Sequence, residues 1–266
     1  MNPRARKRGR WFLLLSAALL ALLYPVQRDI GRDPAYPQEY NRPVLNIREG
    51  GTLAMMAMMG GFRPMVVNLL WLRTDAYWHG GATGWWRMLP MLQAICEMDP
   101  HFIDAWSTFA WHCAWNIYAD AAPEDRPKWV ETGIKIFKRG ISYNRDRYDL
   151  YKDLAWLYHD KMRNYELAIP AWKDVLKHPD APIYCRHMLA HAYENTWQVE
   201  KAMETWRECV KLDRYDFVAH NALDWWTEQT SSKAKLDVEK IRILQRENAM
   251  RRSRGLPMME QPQPIR

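Results

Sequence analysis

The sequence predicts an all-α protein: a helical solenoid of about four helix-turn-helix repeats with capping helices, preceded by one membrane-spanning helix. Three observations carry this. Small and large residues recur with a period near 34. The chain holds 15 tryptophans and 13 tyrosines in 266 residues but few β-branched runs, which suits helices packed through aromatic knobs. And a cationic N-terminus runs straight into an apolar segment.

The repeat is clearest from Ile183 to Arg214, a helix, a short turn and a second helix. Leu189, Ala190 and Tyr193 mark the first helix; Ala202, Trp206 and Cys209 mark the second as small, large, small. The first-helix alanine recurs as Ala76, Ala110, Ala155 and Ala190, spaced by 34, 45 and 35 residues. The second-helix small position recurs as Gly133, Ala168 and Ala202, with Met88 in the first repeat, and the large position as Leu92, Phe137, Trp172 and Trp206. A hairpin of this kind cannot bury its apolar face alone, so it is read as one unit of a stack. Repeat ends fall at Asp99-Pro100, Asn144-Arg145, His178-Pro179 and Asp213-Arg214, all with turn chemistry. The wide second spacing places about 11 extra residues, around ADAAPEDRPK, in a surface loop between the helices of repeat two.

The ends are different in kind. Residues 1–10 hold five cations and no anion, a basic cytoplasmic tail. Residues 11–26 (WFLLLSAALLALLYPV) form an uncharged run just short of the ~17–25 residues of a typical spanning helix. Basic residues before such a run keep the N-terminus inside, and no small-residue cleavage site closes it, so it reads as a signal anchor; a cleaved signal is the alternative. The body is then extracytoplasmic, on an inner (cytoplasmic) membrane. Residues 27–50 are a charged, proline-bearing linker, and 51–252 the solenoid with its caps. The methionine-rich TLAMMAMM is read as an end cap, or as an adaptable contact surface. Phe217–Glu228 supplies a further first-type helix. Lys235–Arg252 is a terminal cap with Leu236, Val238, Ile241, Ile243 and Leu244 as its apolar side, and 253–266 a disordered tail.

Residues 69–228 resemble a tetratricopeptide-repeat (TPR) array on the positions quoted, and with the anchor the whole resembles bacterial membrane-anchored TPR proteins. That resemblance implies a right-handed solenoid and an interaction scaffold whose first helices line a groove for a protein or peptide. It implies no reaction and no particular partner.

If the repeat alanines face their partner helices, helical geometry turns the residues at −6, −3, +1, +4 and +5 toward the groove. These include Arg73 and Tyr77; Asp104, Ser107, Trp111 and Trp115; Asp149, Lys152, Trp156, His159 and Asp160; and Tyr184, His187, His191, Glu194 and Asn195. Aromatic anchors among polar neighbours suit a peptide partner in a membrane-associated envelope complex. They also suit an alternative, a small ligand or glycan stacked on Trp111, Trp115 and Trp156. Packing of Trp111 and Trp115 against the repeat-two loop or the N-terminal arm is the structural reading beside both.

Other functions fit less well. The net charge of +7 is concentrated at the ends: residues 233–266 carry nine cations and four anions, and with +5 removed for each end, 11–232 is left at −3. No nucleic-acid partner is expected of such a body. No G-x-S-x-G, P-loop or Gly-rich dinucleotide turn is present, so no enzyme activity and no cofactor are expected. His187 and His191 stand one turn apart, with His159 and Glu194 as further candidates, but the spacing lacks a defined third ligand and no metal site is assigned. Cys185 and Cys209 flank the repeat-four turn at equal height, which leaves open a disulfide or two buried thiols.

Overall fold

The computed structural model describes residues 61, 63–78 and 82–260. The basic tail, the apolar run, the linker and the methionine-rich run lie outside the described residues. Among the described residues no helix is long and apolar enough to cross a membrane.

Ten helices follow one another, with no strand among the described residues. They are α1 (Arg63–Trp78), α2 (Ala82–Met98), α3 (Ile103–Trp111), α4 (Arg126–Tyr143), α5 (Asp149–Trp156), α6 (Tyr165–Val175), α7 (Tyr184–Asn195), α8 (Val199–Leu212), α9 (Phe217–Thr230) and α10 (Lys233–Ser253). Helices adjacent in sequence pack on one another: α1 on α2 and, from α4 onward, each on the next. The chain forms two compact units that divide between Ala105 and Trp106, inside α3.

In the first unit α1 packs on α2. Met88, Leu89, Leu92, Ile95 and Met98 of α2 are buried. Met88 takes the place of the expected small residue and is fully enclosed. Trp71 meets Phe102 at 5.0 Å between ring centroids.

The second unit shows how the repeat spacing arises. Ala155 and Ala190 stand 35 rather than 34 apart because α5 runs into a π-helical turn, Leu157–Lys161. There the Met162 amide reaches back five residues to the Leu157 carbonyl, and such a turn absorbs one additional residue. Beyond it Arg163 adopts φ 49°, and Trp197 at the matching turn of repeat four adopts φ 60°. Both stand nine residues before the buried tryptophan of their second helix, Trp172 and Trp206.

The insertion in repeat two is not a projecting loop. α3 continues through a π-helical turn, His112–Ile117, and an α-helical turn, Tyr118–Asp120, and α4 starts at Arg126. Only residues 121–125 are non-helical. Pro127 sits in the first turn of α4, where its missing N–H costs nothing, so the charged ADAAPEDRPK stretch lengthens both helices instead. Close approach is set by the small residues. A Cβ on Gly133 would lie 2.9 Å from the Ala114 Cβ and 3.0 Å from the Ala110 carbonyl.

α10 also differs from expectation. Ser232 caps it, accepting from the Lys235 amide. Of its five expected apolar contacts only Ile243 is buried, while Val238 and Ile241 are exposed. The buried stripe is instead Glu239, Ile243 and Glu247, spaced i, i+4, i+8 on one face. The carboxylates are tolerated because partners meet them. Glu247 accepts from Arg163 Nε at 3.0 Å, the Tyr165 hydroxyl at 3.0 Å and Arg251 Nε at 3.2 Å. Residues 256–259, expected to be disordered, fold back on this helix, where the Asn248 side chain pairs with both the amide and the carbonyl of Met259 at 2.8 Å.

Candidate binding face

Ala110, Ala155 and Ala190 are completely buried, so the residue after each, turned by about 100°, points away from the hairpin contact. These three positions carry Trp111, Trp156 and His191. Trp111 is 42% exposed and Trp156 36%, and the His191 side chain is 44% exposed. Such exposure is unusual for indoles in a chain that buries Trp106, Trp172 and Trp206 almost entirely. Trp111 lies parallel on Trp115, with 4.0 Å between centroids and 8° between planes.

The aromatic strip runs further than the repeat spacing suggests. Tyr118 follows at i+7 from Trp111, on the continuation of the same helix. The Lys161 ammonium sits 3.4 Å from the centroid of its ring and the Arg126 guanidinium carbon 5.5 Å from it. Burial, then the charges of Arg254 and Arg126, push Lys161 down to about 8. Tyr118 stands eight residues after Ala110 and Lys161 six after Ala155, outside the offsets that helical geometry turns toward the groove. The 111/115/118 spacing was the signal available.

The other sequence-selected residues divide. Lys152 is half-buried and paired with Asp153 at 3.1 Å. Asp153 also accepts from the Ser107 hydroxyl at 2.5 Å, which ties α3 to α5. Tyr184 is exposed. His187 is mostly enclosed, with Nε2 2.5 Å from Asp216 Oδ2. His191 Nδ1 lies 2.8 Å from Glu194 Oε2. In the first unit, Arg73 is exposed and places its guanidinium 5.9 Å from the ring centroid of Tyr77.

His159 and Asn195 are corrections. Both are buried and offer no surface to a ligand. Asn195 Oδ1 accepts from Arg246 of α10 at 3.0 Å. His159 Nδ1 accepts from the Trp172 indole at 3.1 Å. Burial first, then the neighbouring Arg163 and His191, lower the His159 pKa to about 4, so the ring is neutral. Glu194, four residues after its alanine as His159 is after its own, is buried too. Its Oε1 accepts from the indoles of Trp206 at 2.8 Å and Trp226 at 2.6 Å. Burial opposes its ionisation, yet the hydrogen bonds from His191, Trp206 and Trp226 leave its pKa below the usual range. Repeat two has Phe137 in the large position and Ala114 at the matching place in its first helix. An indole in the second helix thus goes with an acceptor in the first, and a plain ring with alanine.

All four cysteines are buried and free, so the Cys185–Cys209 bridge is not formed. Equal height on neighbouring helices is insufficient without facing Cβ atoms, and Cys209 instead faces His187 and Asp216.

No protein-family model matches the chain, and no curated protein matches it. Among solved structures it is similar to TTC0263, a thermophilic TPR protein of Thermus thermophilus, with 14% identity over 68% of this chain and 99% of that one and a TM-score of 0.43. It is also similar to YrrB, described as a TPR protein with an unusual peptide-binding site, with 13% identity over 64% of this chain and 79% of that one and a TM-score of 0.40.

Proposed function

We propose that the protein is a scaffold that docks a protein or peptide segment on the outward face of its first helices. The observation that carries this reading is the pair of exposed indoles, Trp111 and Trp156, at matching positions of consecutive repeats. Flat rings with few rotatable bonds give contact area at little entropic cost. The Lys161 ammonium and the Tyr118 ring beside them add a site for an acidic or aromatic group of the bound segment. The apolar run 11–26 holds this body at the extracytoplasmic side of the inner membrane, within an envelope complex, where tethering raises the concentration of the face near other membrane proteins.

Affinity capture from solubilised membranes, wild type beside Trp111→Ala/Trp156→Ala, tests the face. The double variant should lose a partner that the wild type retains. If partners are unchanged and binding of a sugar panel is lost instead, the glycan reading replaces this one. Orientation is tested by fusing alkaline phosphatase to the C-terminus, since that enzyme is active only outside the cytoplasm. An inactive, full-length fusion would rule out the proposed topology.

A further inference from the structure

His187, Cys209 and Asp216 come from three successive elements: α7, α8 and the residue that caps α9. Each offers one metal-ligating atom, and the three atoms lie within 4.8 Å of one another, the sole such trio among the described residues. Cys209 and Asp216 are buried, whereas the His187 side chain is 15% exposed. The trio is therefore closed on the inside and reached past the imidazole. Asp216 is held in place independently of any ion, because its Oδ1 accepts from the Ala219 amide at 3.1 Å. Its other oxygen faces His187 Nε2. The His187 ring is steadied by Trp206, 5.2 Å away between centroids.

We propose that His187, Cys209 and Asp216 form a binding site for a zinc-class divalent cation. A thiolate, an imidazole nitrogen and a carboxylate oxygen are the donor types such an ion takes in four-coordinate sites, with water in the fourth position on the exposed side of His187. The charges balance, since a thiolate and a carboxylate neutralise a dication and the enclosed site bears no net charge. On binding, the Cys209 thiol releases its proton to solvent as the sulfur–metal bond forms. The proton held between His187 Nε2 and Asp216 Oδ2 moves to His187 Nδ1, leaving a neutral imidazole, and their hydrogen bond is exchanged for two bonds to the ion. No electron changes hands. The ion would fasten the start of α9 to the hairpin of α7 and α8, adding to the Arg186–Glu208 ion pair and the two indole hydrogen bonds to Glu194 that already join these helices. The trio leaves out His191, one turn from His187, and it does not depend on the binding face described above.

The test is a Co2+ titration of the full-length protein, reduced and freed of metal by a chelator. The expected result is one Co2+ per chain with a thiolate-to-cobalt charge-transfer band, displaced by Zn2+. Cys209→Ser should abolish the band. Asp216→Asn, which keeps the acceptor for the Ala219 amide and so preserves the cap, should weaken Zn2+ binding by more than the ~10–100-fold typical of losing an outer hydrogen-bond partner. Zn2+ should also raise Tm in the wild type. Absence of the charge-transfer band in the wild type overturns the proposal without recourse to any variant. So does a Zn2+-dependent rise in Tm that Cys209→Ser retains in full.

Discussion

Arg163, in the left-handed turn between α5 and α6, is joined to Glu247 of α10 by a two-pronged ion pair across 84 residues of chain. Both side chains are almost wholly buried, at 9% and 1% exposure. The Arg163 carbonyl also accepts from Arg251 at 2.7 Å, and Arg254 grips both carboxylate oxygens of Asp160 at 3.0 and 3.1 Å. The terminal helix is therefore fastened to repeat three, not merely laid over the last hairpin.

Removing one partner from such a pair strands a charge in the interior, which costs about 3–5 kcal/mol. Glu247→Ala should destabilise the second unit by that amount, measured by urea unfolding. Arg163→Met/Glu247→Leu should cost less than the sum of its two single changes, since neither charge is then orphaned. A loss below about 1 kcal/mol in Glu247→Ala would mean that the pair does not hold α10.

The repeat was legible in the sequence because the contacts that make it are local. Ala155, Trp172 and their counterparts meet within one hairpin, so their spacing records the geometry directly. Even the odd 35-residue interval was visible, though not its cause, the π-helical turn after Trp156. The face was read in part. The outward direction of Trp111 and Trp156 follows from their position beside a buried alanine. His159 and Asn195 depart from it because their burial depends on Trp172 and on α10, and no periodicity encodes the latter. Arg163–Glu247 and His187–Cys209–Asp216 depend on how separate elements converge, which helical spacing alone does not report.

Glu194 gathers two indole donors from two different helices, α8 and α9. Glu194→Ala would leave both N–H groups buried without a partner, each at roughly 1–3 kcal/mol. Glu194→Gln keeps the acceptor and should cost markedly less. Trp206→Phe, which removes one donor and leaves Glu194 with the other, should fall between them. Equal unfolding midpoints for the Ala and Gln variants would show that side-chain volume, not hydrogen bonding, sets the cost.

Gly133 is a close-approach point where helix propensity and packing disagree. Alanine is favoured over glycine within a helix by about 1 kcal/mol. The new methyl would, however, stand 3.0 Å from a backbone oxygen that cannot swing aside, and overpacking of this kind costs about 1–3 kcal/mol. Gly133→Ala should therefore lower Tm. A rise would show that α3 and α4 can part without loss.

Acid should weaken the fold well above the carboxylate range. Burial lowers both His112 and His159 from 6.5 to about 4, reinforced at His159 by the charge of Arg163. The unfolded chain takes up protons on these rings near pH 6.5, while the folded chain resists until about 4. Between those values the unfolded state binds more protons, so stability rises with pH and is lost as pH falls through this window. At about 1.4 kcal/mol per unit of pKa, each ring contributes at most roughly 3 kcal/mol. Glu194 and Glu247, both held below their usual value, extend the loss to lower pH. His159→Gln keeps an acceptor for the Trp172 indole and removes the titration. Its urea midpoint should change less between pH 6.5 and 4 than that of the wild type. A wild-type midpoint that stays flat across this window would show that the two rings accept protons inside the folded protein.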